Sequence, residues 1–281
     1  MRKRIKPVVV VVFFGLMILF LVKSKLTIEA ENNATLEIAK DNVPKVTNTI
    51  TPTVEMTEEE PFVLNPIIDL SGWQLPSDMD YDTLSLNISG AIVRVFGGSQ
   101  ITKKNNAAYT TGIDKSFKTH IEELQKRDIP VAVYAYALGK NVEDMKEEAR
   151  LFYENASPYN PTFYWIDVEE KTMSDMNKGV EAFRKELKKL GAKNVGIYIG
   201  TYFLEEHDIS TEKFDAVWIP TYGSDSGYYE AAPDTSIDYD LHQYTSRGYI
   251  NGFPNPLDLN QISVLKDRKT TFEKLFGKIK E

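Results

Sequence analysis

Eight short runs rich in Val, Ile and aromatic residues recur between residues 66 and 262, and they constrain the fold more than any other feature. They are 66–70 (PIIDL), 91–96 (AIVRVF), 131–137 (VAVYAYA), 163–168 (FYWIDV), 195–200 (VGIYIG), 216–222 (AVWIPTY), 240–245 (DLHQYT) and 257–262 (LDLNQI). Amphipathic stretches separate several of them. The stretch 114–127 sets Phe117, Ile121 and Leu124 at helical spacing, and 141–155 and 174–190 behave likewise, the last stopping at Gly191. Strands alternating with helices predict a parallel sheet, and eight of them predict closure. The last three runs leave no room for full helices between them. The expected fold is α/β: an irregular (β/α) TIM-like barrel with incomplete helices in its C-terminal half. A doubly wound open sheet is the weaker alternative, because no Gly-rich phosphate turn follows the first run.

Two zones precede this pattern. Residues 1–23 begin MRKRIK, continue as an unbroken apolar run over 8–22, and close on Lys23. A cationic start followed by an apolar stretch predicts an export element, and flanking charges without a polar face exclude a buried core helix. The run is shorter than the ~20 residues of an ordinary spanning helix. It lacks a small-x-small cleavage site, since Ile28 holds the minus-three position when Ala30 is minus one. A retained transmembrane signal-anchor is therefore expected, with a cleaved signal peptide as the alternative. The positive-inside rule then places everything after Lys25 outside the cell. Residues 24–61 carry eight acids against three lysines, with many Thr, Asn and Pro, and read as a disordered acidic linker. That leaves 62–281 as the folded domain. The net charge of −8 disfavours nucleic acid as a partner. With no cysteine and three unclustered histidines (His120, His207, His242), a thiolate or histidine-rich metal site is not expected.

In a strand, alternate residues share a face. On 163–170 this puts Phe163, Trp165, Asp167 and Glu169 on one side, so two acids of one parity end the fourth strand. In a barrel that end carries the active site. From this segment alone, an early strand end with both acids solvated is an equally good reading. Asp69 ends the first strand and Asp258 lies on the eighth, which is the first strand's neighbour in a closed barrel. Four carboxylates on one rim would raise at least one pKa, because like charges disfavour joint ionisation. One protonated and one ionised carboxyl is what glycosidic bond cleavage requires. A divalent metal cluster is the other reading, disfavoured by the lack of a histidine among the acids.

The same rim is aromatic. Tyr134 and Tyr136 share a face, as do Tyr198 and Tyr202, and Trp218, Pro220 and Tyr222; Tyr244 ends the seventh strand. Flat rings suit the apolar faces of sugars, and phenol hydroxyls bond sugar hydroxyls. Each ring alone is better explained as barrel filling; the clustering favours a saccharide groove. Arg94 and Gln243 are polar groups inside strands. A buried arginine is usually paired, so Arg94 either orients an acid or forms a structural ion pair.

Taken together, IIDLSGWQ, AIVRVFGG, IPVAVYAYA, FYWIDVE, VGIYIGTYF, VWIPTYG and HQYTSRGYINGF with PLDLNQ resemble the family 25 glycoside hydrolases, the Chalaropsis-type N-acetylmuramidases, across about 66–263. The opening D-x-S-x-x-Q, the D-V-E after an apolar strand and the closing D-L-N form a specific signature only in combination. The resemblance implies an irregular barrel that needs no metal or cofactor. It also implies cleavage of the β-1,4 bond between N-acetylmuramic acid and N-acetylglucosamine in peptidoglycan glycan strands. By position, Glu169 resembles the general acid and Asp167 its partner carboxylate, with Asp69 and Asp258 as supporting acids. Tyr134, Tyr136, Tyr198, Trp218, Tyr222, Arg94 and Gln243 are the expected substrate contacts. Three positions depart from the commoner pattern: Ala135 for histidine, His242 for tryptophan and Pro220 for alanine, which bears on affinity and subsite preference. Two other functions compete. A chitinase-like hydrolase would want a third aspartate two residues before the pair, where Trp165 stands; a catalytically silent wall-glycan-binding protein would keep the groove without turnover.

Overall fold

In the computed structural model, which describes residues 62–99 and 105–278, eight strands close into one barrel in sequence order. They are β1 (Ile67–Leu70), β2 (Gly90–Phe96), β3 (Val131–Tyr136), β4 (Tyr164–Val168), β5 (Val195–Ile199), β6 (Ala216–Pro220), β7 (Leu241–Gly248) and β8 (Leu257–Ile262). The open doubly wound alternative is thereby excluded. The expected signal-anchor (1–23) and linker (24–61) lie outside the described residues. Among the described residues, no helix is long and apolar enough to cross a membrane.

The helices are α1 (Tyr81–Ser85), α2 (Phe117–Gln125), α3 (Val142–Ala156), α4 (Met176–Leu190), α5 (Thr201–Glu206) and α6 (Arg268–Phe276). The three expected ones are α2, α3 and α4. Asn141 caps α3 through bonds from the Glu143 and Asp144 amides at 3.0 Å each, and Asp175 caps α4 through the Lys178 amide at 3.0 Å. Such caps satisfy amides that have no partner inside the helix. No helix lies between β6 and β7 or between β7 and β8.

One expectation fails here. The sheet is not wholly parallel: β1 to β7 run parallel, but β8 is antiparallel to both β7 and β1. The cause is the connection. The short segment between Gly248 and Leu257 forms a hairpin, whereas a parallel return needs a crossover of about a dozen residues or more.

Alternation divides the side chains cleanly. The inner set fills the barrel with Ile67, Ile92, Ala132, Phe163, Trp165, Ala216, Trp218, Leu241 and Ile262. The outer set, with Ile68, Val93, Val133, Ile166, Ile197 and Ile219, packs against the helices. Trp165 fits inside because β5 offers Gly196 beside it; a Cβ there would lie 2.3 Å from the indole.

Candidate active site

The C-terminal ends of β1 and β4 deliver Asp69 and Asp167, and Glu169 follows directly beyond β4. Asp258 reaches the same rim by a different route. As the second residue of β8 it would sit at the far end of a parallel strand. Because β8 runs backwards, it pairs in register with Asp69 instead. The strand reversal therefore brings the fourth acid into the site.

A depression of about 150 Å³ gathers Asp69, Tyr134, Asp167, Glu169, Tyr198, Trp218, Tyr222, Gln243 and Asp258. Its floor is aromatic. The Trp218 ring stands edge-on to Tyr198 at 4.5 Å, to Trp165 at 5.6 Å and to Tyr134 at 6.4 Å between centroids. Gln243 organises one wall: its Oε1 accepts from Tyr198 Oη (2.7 Å) and Tyr222 Oη (2.6 Å), and its Nε2 donates to Asp69 Oδ2 (2.8 Å). Asn260 Nδ2 donates to that same Oδ2 at 2.8 Å. A larger concavity of about 700 Å³ lies at the other end of the barrel, lined by Phe62, Ile129, Phe272 and Phe276 among others. It holds no cluster of acids, so the smaller one is the candidate for chemistry.

Burial sets the proton affinities. It pushes Asp69 up to about 6, against the lowering bonds from Asn260 and Gln243, with the Glu169 charge adding to the rise. Asp258 is pushed up to about 8, first by burial and then by the charges of Asp69, Asp225 and Glu169. Asp167 is raised well above the carboxylate range by burial and by Glu169, with Arg94 opposing. Glu169 stands at the mouth, with more of its surface open than Asp167. It is raised by the desolvation of its surroundings, while its hydrogen bond with Asp167 opposes the rise. Asp167 Oδ1 is buried without a protein donor. Among the described residues, no group of three or more His, Cys, Asp or Glu is arranged to hold a metal ion.

Some expected contacts sit elsewhere. Arg94 does not line the depression: its Nε bonds Asp114 Oδ2 at 3.0 Å, making the structural ion pair. Tyr136 is half-buried and donates to Glu170 Oε1 at 2.8 Å rather than to the paired acids. Tyr202 is exposed on α5, outside the depression. Tyr244 packs on the outer wall of β7, its ring 6.0 Å from Tyr229 and 6.3 Å from His242. Of the departures from the commoner pattern, Ala135 has the outer parity of β3, and His242 has that of β7, its Nε2 within 2.8 Å of the Thr221 carbonyl. Neither lines the depression, so their bearing on subsite preference is indirect. Pro220 has the inner parity but does not line it either. Asn260, the last residue of the closing D-L-N, and Asp114 have no site role assigned by the sequence. Asn260 shares the parity of Asp258 two residues earlier, which was the available signal; Asp114 gave none.

A closed eight-stranded barrel, parallel except for β8, with paired carboxyls and sugar-sized aromatic walls at one end points to a glycoside hydrolase. Residues 68–253 match the family described as Glycosyl hydrolases family 25. The chain belongs to that family. Among solved structures it is similar to GHIP of Streptococcus pneumoniae, described as a virulence factor and a glycosyl hydrolase 25 participating in host cell invasion. That pair has 61% identity and a TM-score of 0.75, covering 76% of this chain and 94% of that one. It is also similar to the catalytic domain of the endolysin ply40 from bacteriophage P40 of Listeria monocytogenes, with 28% identity, a TM-score of 0.65, and 76% and 98% covered. The bacterial lysozyme of Streptomyces coelicolor, at 15% identity and a TM-score of 0.55 over 76% and 98% of the chains, shares the fold. No curated protein matches the sequence.

Proposed function

We propose that this family 25 hydrolase is an N-acetylmuramidase that cleaves the β-1,4 bond between N-acetylmuramic acid and N-acetylglucosamine in peptidoglycan. The observation that carries the reading is the arrangement of its acids in two pairs, Asp167 with Glu169 along β4 and Asp69 with Asp258 across β1 and β8. Glu169, at the open mouth, gives its proton to the bridging oxygen. Asp167 holds the substrate's acetamide N–H on its undonated Oδ1, so that the acetamide carbonyl oxygen attacks the anomeric carbon as the C–O bond breaks. Water then opens the cyclic intermediate, with Glu169 taking a proton back. Asp167 and Glu169 lie close enough to shift each other's proton affinity, and this proximity supports the route over inversion, which needs ~6.5–9.5 Å between its carboxyls for a water. Asp69 and Asp258 with Gln243 hold the sugar hydroxyls.

The chitinase-like alternative loses support at Trp165, which fills the barrel core where that reading wants an acid. The silent-binder alternative rested on Ala135 and His242, and neither touches the acids. The deciding experiment is the Glu169→Gln chain on purified walls, with mass analysis of new ends. Release of reducing ends should fall by at least ~10²–10⁴-fold while circular dichroism is unchanged; full activity would reject the assignment. For location, we propose export with residues 1–23 retained as an anchor and 24–61 as a tether, the enzyme remodelling the cell's own wall. Recovery in the membrane pellet after a salt wash is expected, and recovery only in culture supernatant would reverse it.

A further inference from the structure

The exposed aromatic side chains gather at one end. All six among the described residues (Trp73, Tyr109, Tyr202, Tyr228, Tyr229 and Tyr249) lie on connections at the catalytic end of the barrel. Of the exposed aliphatic ones, Leu75 shares that end, and Val63, Leu86, Val264 and Leu265 lie on segments at the other end. Scattered single exposures need no explanation, but segregation by chemistry does. Tyr229 is accounted for by its edge-on contacts with His242 and Tyr244.

Trp73 is 59% exposed, yet its turn is held firmly. Gln74 N bonds the Ser71 carbonyl at 3.0 Å, and Gln74 Oε1 accepts from Ser71 N at 2.9 Å. Gly72 N donates to buried Asp114 Oδ2 at 2.7 Å, and the Gln74 carbonyl meets His120 Nε2 at 2.9 Å. A Cβ on Gly72 would lie 2.2 Å from the Ala107 carbonyl oxygen, so this turn seats closely against the segment that carries Tyr109. A rigid turn presenting an open indole is a preorganised stacking face, with little ordering left to lose on binding. Across the mouth, Tyr202 is 88% exposed at the start of α5, four residues after the lining Tyr198, and the space beside Gly200 is open. In an eight-stranded barrel β1 and β5 stand on opposite sides. The β3 and β4 connections present Lys140, Glu170 and Lys171 instead.

The depression, about 150 Å³, is smaller than the ~300–1,000 Å³ of pockets that enclose a ligand. A polymer cut at its centre must therefore lie mostly on the rim. We propose that the glycan strand crosses the mouth from the β1 side to the β5 side, with Trp73 and Tyr202 as stacking platforms for sugar rings beyond those at the catalytic acids. This rests on the hydrolase reading above and adds that the enzyme selects long strands.

The test compares Trp73→Ala and Tyr202→Ala with the parent chain on uncrosslinked long glycan strands and on the shortest oligosaccharide it cleaves. The ratio of long- to short-substrate kcat/KM should fall about three- to tenfold, carried by KM on long strands. Trp73→Phe should restore it, and Leu86→Ala at the other end should leave both rates alone. Equal losses on both substrates, or an unchanged ratio, would overturn the platforms. A parent chain that cuts neither substrate overturns the hydrolase reading; co-sedimentation with long strands then decides the platforms separately, and equal retention of Trp73→Ala overturns them.

Discussion

Asn260→Leu isolates the energetics of the acid pair across β1 and β8. Asn260 is fully buried, and its Nδ2 donates to Asp69 Oδ2 at 2.8 Å and, more weakly, to the Ile67 carbonyl at 3.3 Å. Leucine fills a similar volume without the donor. A hydrogen bond to a charged acceptor is worth ~1.5–3 kcal/mol, which is ~1–2 pKa units. Asp69, already about 6, should therefore rise to ~7–8. The unfolded value is ~3.9, so the fold binds this proton more tightly than the unfolded chain does. Stability from this group is whole below about pH 4 and is lost as pH rises through the folded value. In the variant that loss continues to higher pH. Urea unfolding should show a penalty about 1.5–3 kcal/mol larger near pH 8 than near pH 4. The carbonyl bond and any packing change weigh equally at both and cancel. Carboxyl ¹³C titration of Asp69 gives the shift directly. A penalty equal at the two pH values, with an unmoved Asp69, would refute the claim that Asn260 holds the anion.

Asp258→Asn should become increasingly more stable than the parent between about pH 4 and pH 8, because the fold raises Asp258 to about 8 and pays for its proton throughout that window; a stability gain independent of pH would count against this. Arg94→Leu strands the fully buried Asp114 carboxylate without its cation. Two backbone donors remain, Gly72 N and Ser116 N, so the loss should be about 3 kcal/mol, near the low end for a broken buried pair. A loss under about 1 kcal/mol in denaturant would show that the pair is not needed.

Strand count and face were legible because alternation leaves its mark whichever way a strand runs. Direction was not legible from that pattern, since LDLNQI reads the same up or down. The short span from Gly248 to Leu257 carried the missing information, and weighing it would have reversed β8 and explained how Asp258 reaches the rim. Parity also assigns Tyr244 and His242 to the outer wall once Gln243 is placed inside, so their apparent site roles came from proximity in sequence alone. Arg94 was legible as a buried cation needing a partner. Asp114, though, sits in an irregular segment twenty residues on, where no period says which way a side chain points.

The proton on the β4 pair must also move for the chemistry to work. In the free site Asp167 is the more buried of the two, and an unpaired anion is costlier there than at the open position of Glu169. Burial therefore favours a proton on Asp167 over one on Glu169, the residue proposed to face the glycosidic oxygen. Arg94 opposes this arrangement but spends its hydrogen bond on Asp114. An acetamide N–H arriving at the buried, undonated Oδ1 of Asp167 would stabilise that anion by roughly the 1.5–3 kcal/mol of a charge-assisted bond, which shifts the balance toward a proton on Glu169. The acid would then be armed by the substrate it cleaves. Carboxyl ¹³C spectra should report Asp167 protonated in the free enzyme and ionised with a non-hydrolysed N-acetylglucosamine oligomer bound, with Glu169 changing in the opposite sense. An Asp167 that keeps its proton in the complex would refute this account and leave Glu169 without a proton to give.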